Sequence, residues 1–168
     1  MTAKKTQILD DSRVKQILKR IAYQVYENNF NETELIITGI EGNGYVIASM
    51  LAENISAICR LKLKLVKISV NKKDPSESST QLHSDHTDIE NKNILIVDDV
   101  LNSGRTMFHA FLPLIKARAK KIHTMALVDR DYKEFPIRAD FIGISLSTTM
   151  QEHVEVVIEK NKVSVFLS

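Results

Sequence analysis

The run Ile94-Leu95-Ile96-Val97 ends on two adjacent carboxylates, Asp98-Asp99, and leads through Val100-Leu101 into Asn102-Ser103-Gly104-Arg105-Thr106. An apolar run without polar alternation reads as a strand covered on both faces, the condition met in parallel sheets that carry helices on each side. Helical spacing follows from about residue 105 to 119, where Pro113 should kink the helix or remove one backbone bond. A second apolar run, residues 124–128, ends on Asp129-Arg130. Strand, helix and strand in that order imply right-handed crossovers. The chain is therefore expected to be an α/β fold with a doubly wound, mainly parallel sheet flanked by helices.

Upstream, Asp11 or Ser12 caps a predicted helix in which Val14, Ile17, Leu18, Ile21, Ala22 and Val25 share one stripe. The apolar residues 35–38 end in the turn Gly39-Ile40-Glu41-Gly42-Asn43-Gly44, and helical spacing returns over residues 46–58. Leu61, Leu63 and Leu65 hold one phase of the next segment and Val66, Ile68 and Val70 the other, which predicts a strand with a bulge. Residues 71–92 are almost wholly polar. A structureless stretch of that length is either a functional lid or a disordered segment, and the residues leave both open. Residues 141–146, 154–158 and 163–167 read as short strands, the last two joined as a hairpin through Lys160-Asn161-Lys162.

A length of 168 residues, 43% apolar and 26% charged, argues for one domain with a real core and against disordered or fibrous classes. No apolar stretch approaches the ~20 residues of a membrane helix, and the lysines near the start have no apolar segment behind them like a leader's. The expectation is a cytoplasmic protein with no membrane partner. Cys59 is the only cysteine, which excludes an intrachain disulfide and a CxxC metal knuckle; it reads as a buried thiol. The net charge of +2 is not the strong basic field of a dedicated nucleic-acid binder.

In open α/β sheets ligands sit beyond the carboxyl ends of the strands, so Asp98 and Asp99 should project into that crevice. Paired carboxylates accept hydrogen bonds from a vicinal diol such as that of ribose. Ser103, Gly104 and Thr106 then open a helix whose free N–H groups and positive dipole end suit a phosphate. Diol acceptors beside a monophosphate cradle describe a site for ribose 5-phosphate. The competing reading is that the aspartates merely cap the helix. A phosphoacceptor receiver domain would need ~100 residues after such a pair, more than the roughly 70 that follow. A P-loop is excluded by the lack of a Gly-Lys-Ser/Thr triplet.

Residues 97–106 resemble the signature with which type I phosphoribosyltransferases bind phosphoribosyl pyrophosphate (PRPP). Leu127-Val128-Asp129-Arg130 and Lys133-Glu134-Phe135-Pro136-Ile137-Arg138-Ala139-Asp140 resemble the hood of the pyrimidine-operon attenuator and uracil phosphoribosyltransferase branch. Ile8-Leu9-Asp10 and Gly39-Ile40 fall where that branch has them. The resemblance implies one domain over residues 1–168, with a core at about 10–130, a mobile loop at 71–92 and a small hood mainly at about 129–153. It implies transfer of a 5-phosphoribosyl group from PRPP to a nucleobase, uracil or a purine, with release of pyrophosphate. Asp98 and Asp99 would then hold the ribose hydroxyls, and Asn102, Ser103, Gly104, Arg105 and Thr106 the 5′-phosphate. Glu41, Gly42, Asn43 and Gly44 would form the pyrophosphate turn, and Asp129, Arg130, Ile137 and Arg138 the base surface. Mg²⁺ would arrive carried by PRPP, near Asp98 and Asp99, with no metal cluster of the protein's own. Relatives are usually dimers or larger, so a homodimer is implied. The alternative is a weakly catalytic or non-catalytic regulator of the same fold that senses nucleoside monophosphates and binds RNA.

Three positions depart from the family pattern. Glu41 stands where this branch carries basic residues, and like-charge repulsion of about 1–4 kcal/mol at ~4 Å would weaken PRPP binding or turnover, unless the glycine amides form an anion nest. Asn102 replaces an aspartate that purine-handling relatives offer as a base, and an amide cannot take a proton near neutral pH. Lys72-Lys73-Asp74 replaces an arginine at the start of the mobile loop. His83, Asp85, His86 and Asp88 read as a solvated cluster in preference to a metal site. Lys116, Arg118, Lys120, Lys121 and His123 read as a solvated helix end in preference to an RNA surface.

Overall fold

In the computed structural model, which describes residues 5–71, 80–149 and 151–168, the run around Ile94 lies in the interior of the main sheet. It forms β5 (Asn93–Leu101), flanked in parallel by β2 (Glu34–Ile40) and β6 (Lys121–Arg130). β3 (Lys62–Val70) and β7 (Phe141–Leu146) extend the sheet in parallel, and β4 (Thr80–Leu82) closes the β3 edge antiparallel. The order β4-β3-β2-β5-β6-β7 is that of a doubly wound sheet, as expected.

Alternate residues of β5 serve opposite cores. Leu95 and Val97 pack with α1 (Asp11–Asn28) and α2 (Asn43–Ile58), whereas Ile94 and Ile96 pack with α3 (His86–Ile89) and α4 (Arg105–Lys116). Each such fully buried aliphatic side chain contributes about 1.5–3 kcal/mol. The α1 stripe of Val14, Leu18, Ile21, Ala22 and Val25 is buried as its spacing predicts. The helix cap is Asp10, one residue ahead of the expected Asp11 or Ser12: its carboxylate accepts from the Arg13 amide at 2.8 Å. Asp11 instead pairs with Lys15 at 2.8 Å and accepts from the Val163 amide at 3.1 Å.

Three expectations about elements are corrected. β3 has no bulge, because its pairing with β2 runs without a shift from Glu34↔Lys62 to Ile40↔Ile68. The two phases are its two faces: Leu63 and Leu65 join the α1–α2 core, and Val66, Ile68 and Val70 the α3–α4 core. Residues 71–92 are not structureless throughout, since β4 and α3 occupy 80–89 and Ile89 is fully buried. Residues 72–79, with Lys72-Lys73-Asp74, lie outside the described residues. Residues 141–146, expected within the hood, are β7 of the main sheet.

A second sheet joins the chain's two ends. β8 (Val154–Glu159) and β9 (Lys162–Leu167) form the expected hairpin, turning on Lys160 and Asn161 at φ 48° and 62°, and β1 (Thr6–Leu9) adds antiparallel to β9. Two successive positive φ values characterise the tight hairpin turn whose twist matches its strands. Val154, Val156, Val163 and Val165 bury against the α1–α2 core. Among the described residues no helix is long and apolar enough to cross a membrane.

Candidate active site

At the carboxyl end of β5 the chain passes into α4 through Asn102-Ser103-Gly104. Gly104 sits at φ +84°, and a Cβ there would fall 2.3 Å from Ile137 Cγ2, so conformation and packing both demand glycine. Two amides of the β6–β7 connection, those of Glu134 and Phe135, donate to the Ser103 carbonyl at 3.0 and 3.1 Å. The loop is thereby fixed to the hood, and its residues 102–107 with Asp98 surround a concavity of about 40 Å³. The amides of the first turn of α4 have no partners within the helix, which makes this concavity a place for an anion.

The two carboxylates at the end of β5 differ in burial and in partners. Asp98 is 5% exposed and lies under the start of α2, where a Cβ on Gly44 would come within 3.0 Å of Asp98 Oδ1. Asp99 is half-buried and accepts from Asn43 Nδ2 at 3.0 Å. Each also accepts a backbone amide at 2.9 Å, Asp98 from Asp99 and Asp99 from Val100, which fixes its rotamer. Asn43 donates as well to the Val156 carbonyl at 2.9 Å, tying Asp99 to β8. The sequence reading gave Asn43 only a place in the turn; a link to a carbonyl 113 residues away leaves no local signal.

The turn Glu41-Gly42-Asn43-Gly44 joins β2 to α2. The exposed Glu41 carboxylate accepts from Lys67 Nζ of β3 at 3.0 Å, and hydrogen bonds from Lys67 first and Ser69 second hold its carboxyl below the ordinary glutamate range. The charge that set Glu41 apart in the sequence is thus met by a lysine on the neighbouring strand. Ser69 Oγ lies 2.7 Å from His83 Nε2.

A cleft of about 1040 Å³ opens beside the loop, lined by Asp129, Asp131, Lys133, Phe135, Pro136, Ile137, Arg138, Ala139 and Ile142. Asp129 is ion-paired to Lys133 at 2.5 Å, and Lys133 also donates to the Arg130 carbonyl. Arg130, expected on the base surface, does not line the cleft. Its guanidinium is buried and donates to Thr148 Oγ1 at 2.9 Å and to the carbonyls of Thr149 and Glu152 at 3.3 and 3.0 Å, so it holds Thr148, Thr149 and Glu152 in place.

Among the described residues no three His, Cys, Asp or Glu side chains come together as a metal site. The basic residues near the end of α4 are largely answered by carboxylates: Arg118 by Glu90 at 3.7 Å, Lys120 by Glu32 at 3.1 Å and His123 by Asp140 at 3.2 Å.

Comparison with known proteins matches residues 4–159 to the model of the phosphoribosyl transferase domain. The bifunctional protein PyrR of Clostridium kluyveri is 37% identical over 162 residues, 93% of this chain and 92% of that protein. The bifunctional protein PyrR of Staphylococcus aureus is 36% identical over 161 residues, 91% of each chain. The hypoxanthine phosphoribosyltransferase of Trypanosoma cruzi superposes with a TM-score of 0.78 at 14% identity over 95% of both chains, which is a likeness of fold.

Proposed function

The chain belongs to the phosphoribosyltransferase family, and from that premise we propose that it transfers the 5-phosphoribosyl group of PRPP to a nucleobase, uracil or a purine, releasing pyrophosphate. The observation that carries this reading is the end of β5, where a carboxylate pair adjoins an anion concavity clamped to the hood.

Asp99, held by Asn43, and the deeper Asp98 accept the ribose hydroxyls. The amides of residues 103–106, with the Ser103 and Thr106 hydroxyls, take the 5′-phosphate. These contacts orient the anomeric carbon between the turn at residues 41–44, where pyrophosphate departs, and the cleft at Asp129, where the base enters. Asn102 is an exposed amide and holds no titratable proton, so the rate acceleration comes from orientation and electrostatics. Mg²⁺ bound with PRPP would neutralise the pyrophosphate charge; the paired carboxylates of β5 are the hard oxygen donors such an ion accepts, with most of its ligands supplied by PRPP itself.

The test is pyrophosphate release from PRPP and magnesium in the presence of uracil, guanine, hypoxanthine, adenine or xanthine in turn, with base omitted as the blank. The expected result is release with one base or one class of base. Folded protein inert with all five would overturn the transferase and favour the nucleotide-sensing regulator, for which Glu41 in the pyrophosphate turn is the supporting feature.

A further inference from the structure

A pyrophosphate leaving group carries several negative charges, and the turn that should receive it, residues 41–44, brings no cation of its own. Among the described residues, a cation reaches it from the adjacent strand. Lys67 of β3 is in register with Gly39 of β2, and it shares the phase of Leu63 and Leu65, whose side chains pack on the α2 side of the sheet. Its ammonium group therefore emerges beside the start of α2, where it meets Glu41 Oε1 at 3.0 Å. The Glu41 amide continues the ladder to the Ile68 carbonyl at 2.8 Å, which fixes the turn against this strand. On its other flank the turn is tied to β5 through Asn43 and Asp99. An oxyanion lying on the turn thus sits between Lys67 and the carboxylates proposed to hold ribose.

Glu41 shows what that place accepts. It is an exposed carboxylate that accepts from Lys67 and, next in what lowers its pKa, from the Ser69 hydroxyl, donors that an incoming phosphate would use. Both partners of the pair remain substantially open to solvent, 38% for Lys67 and 54% for Glu41, so the exchange needs no repacking.

We propose that Lys67 is the pyrophosphate-binding cation of this protein and that Glu41 is its displaceable internal ligand, which PRPP must remove in order to bind. The inference rests on the phosphoribosyl-transfer reading. It locates on β3 a charge that the sequence pattern would seek within the turn.

The test is calorimetric titration of magnesium pyrophosphate into the full chain, as wild type and as Lys67→Met, Lys67→Arg and Glu41→Gln. Ribose 5-phosphate, which lacks the pyrophosphate, is the control ligand. Loss of one charge-assisted contact should weaken pyrophosphate by about tenfold in Lys67→Met, with Arg restoring most of it. Removing the competing carboxylate in Glu41→Gln should tighten pyrophosphate by about threefold or more, while ribose 5-phosphate stays within about twofold in every variant. Unchanged pyrophosphate affinity in Lys67→Met, a parallel loss of ribose 5-phosphate, weaker binding in Glu41→Gln, or no pyrophosphate binding by the wild type would each overturn the proposal. The two readings separate cleanly. Wild-type turnover with no effect of Lys67 refutes this inference alone, and the expected pyrophosphate pattern without turnover on any base refutes the transfer reading alone.

Discussion

At the scale of single residues, the loop from β5 to α4 is where backbone and chemistry are least separable. Gly104→Ala places a methyl group at φ +84° and against Ile137 Cγ2, so the variant should lose about 1–3 kcal/mol of stability and most ribose 5-phosphate affinity. Urea unfolding and calorimetry check the two effects, and a stable variant with intact binding would refute the assigned geometry. Arg130→Ala tests the opposite kind of residue. It removes buried charge-assisted bonds to Thr148, Thr149 and Glu152, so it should cost about 2–4 kcal/mol of stability while leaving the KM for the base within about threefold in protein that remains folded. A large rise in that KM at unchanged stability would restore Arg130 to the base surface. The sequence placed Arg130 beside Asp129 correctly, but adjacency says nothing about direction. Along a strand neighbouring side chains point to opposite faces, and only Asp129 reaches the cleft. Lys67 was illegible for a related reason: it is joined to Glu41 by strand register across 26 residues of sequence, with no local motif to mark it.

At the scale of elements, apolar patterning was most informative where one strand serves two cores. The run of β5 was legible because nothing polar interrupts it, and Phe141–Leu146 matched its predicted limits. β3 misled because its leucines and its Val-Ile-Val set face different helices, so two half-stripes resembled a change of phase. α4 contains Pro113 four residues before its C-cap at Ala117, and the missing N–H is the one that would reach the carbonyl of residue 109. Pro113→Ala should restore that bond. Set against the lower entropy of the unfolded proline chain, the net gain should be about 1–2 kcal/mol. A lowered unfolding temperature in that variant would mean that the proline ring's own packing outweighs the lost bond. The β1-β9-β8 sheet had no signature as a unit, since it joins the first and last strands of the chain.

At the scale of the molecule, two cores on one sheet hold a site made from the carboxyl ends of β2, β3, β5 and β6. Several surface carboxylates of the molecule are paired. Bonds from lysines lower the carboxyl pKa of Asp11, Glu41, Asp88 and Glu155, and bonds from Thr149 lower that of Glu152. A folded pKa below the unfolded one contributes stability above the ordinary carboxylate range and loses it as pH falls through the lowered values. The unfolding temperature should therefore fall on acidification through that range, and less steeply in high salt because these groups are exposed. A salt-independent acid limb would locate the sensitive groups in the interior. What unites the fold and the chemistry is the end of β5, and turnover by the Asp99→Ala variant, on whichever base supports wild-type activity, tests it most directly. The account predicts a kcat/KM reduced by about 100-fold or more with an unfolding temperature near that of the wild type. A folded Asp99→Ala protein that turns over PRPP at the wild-type rate would contradict it.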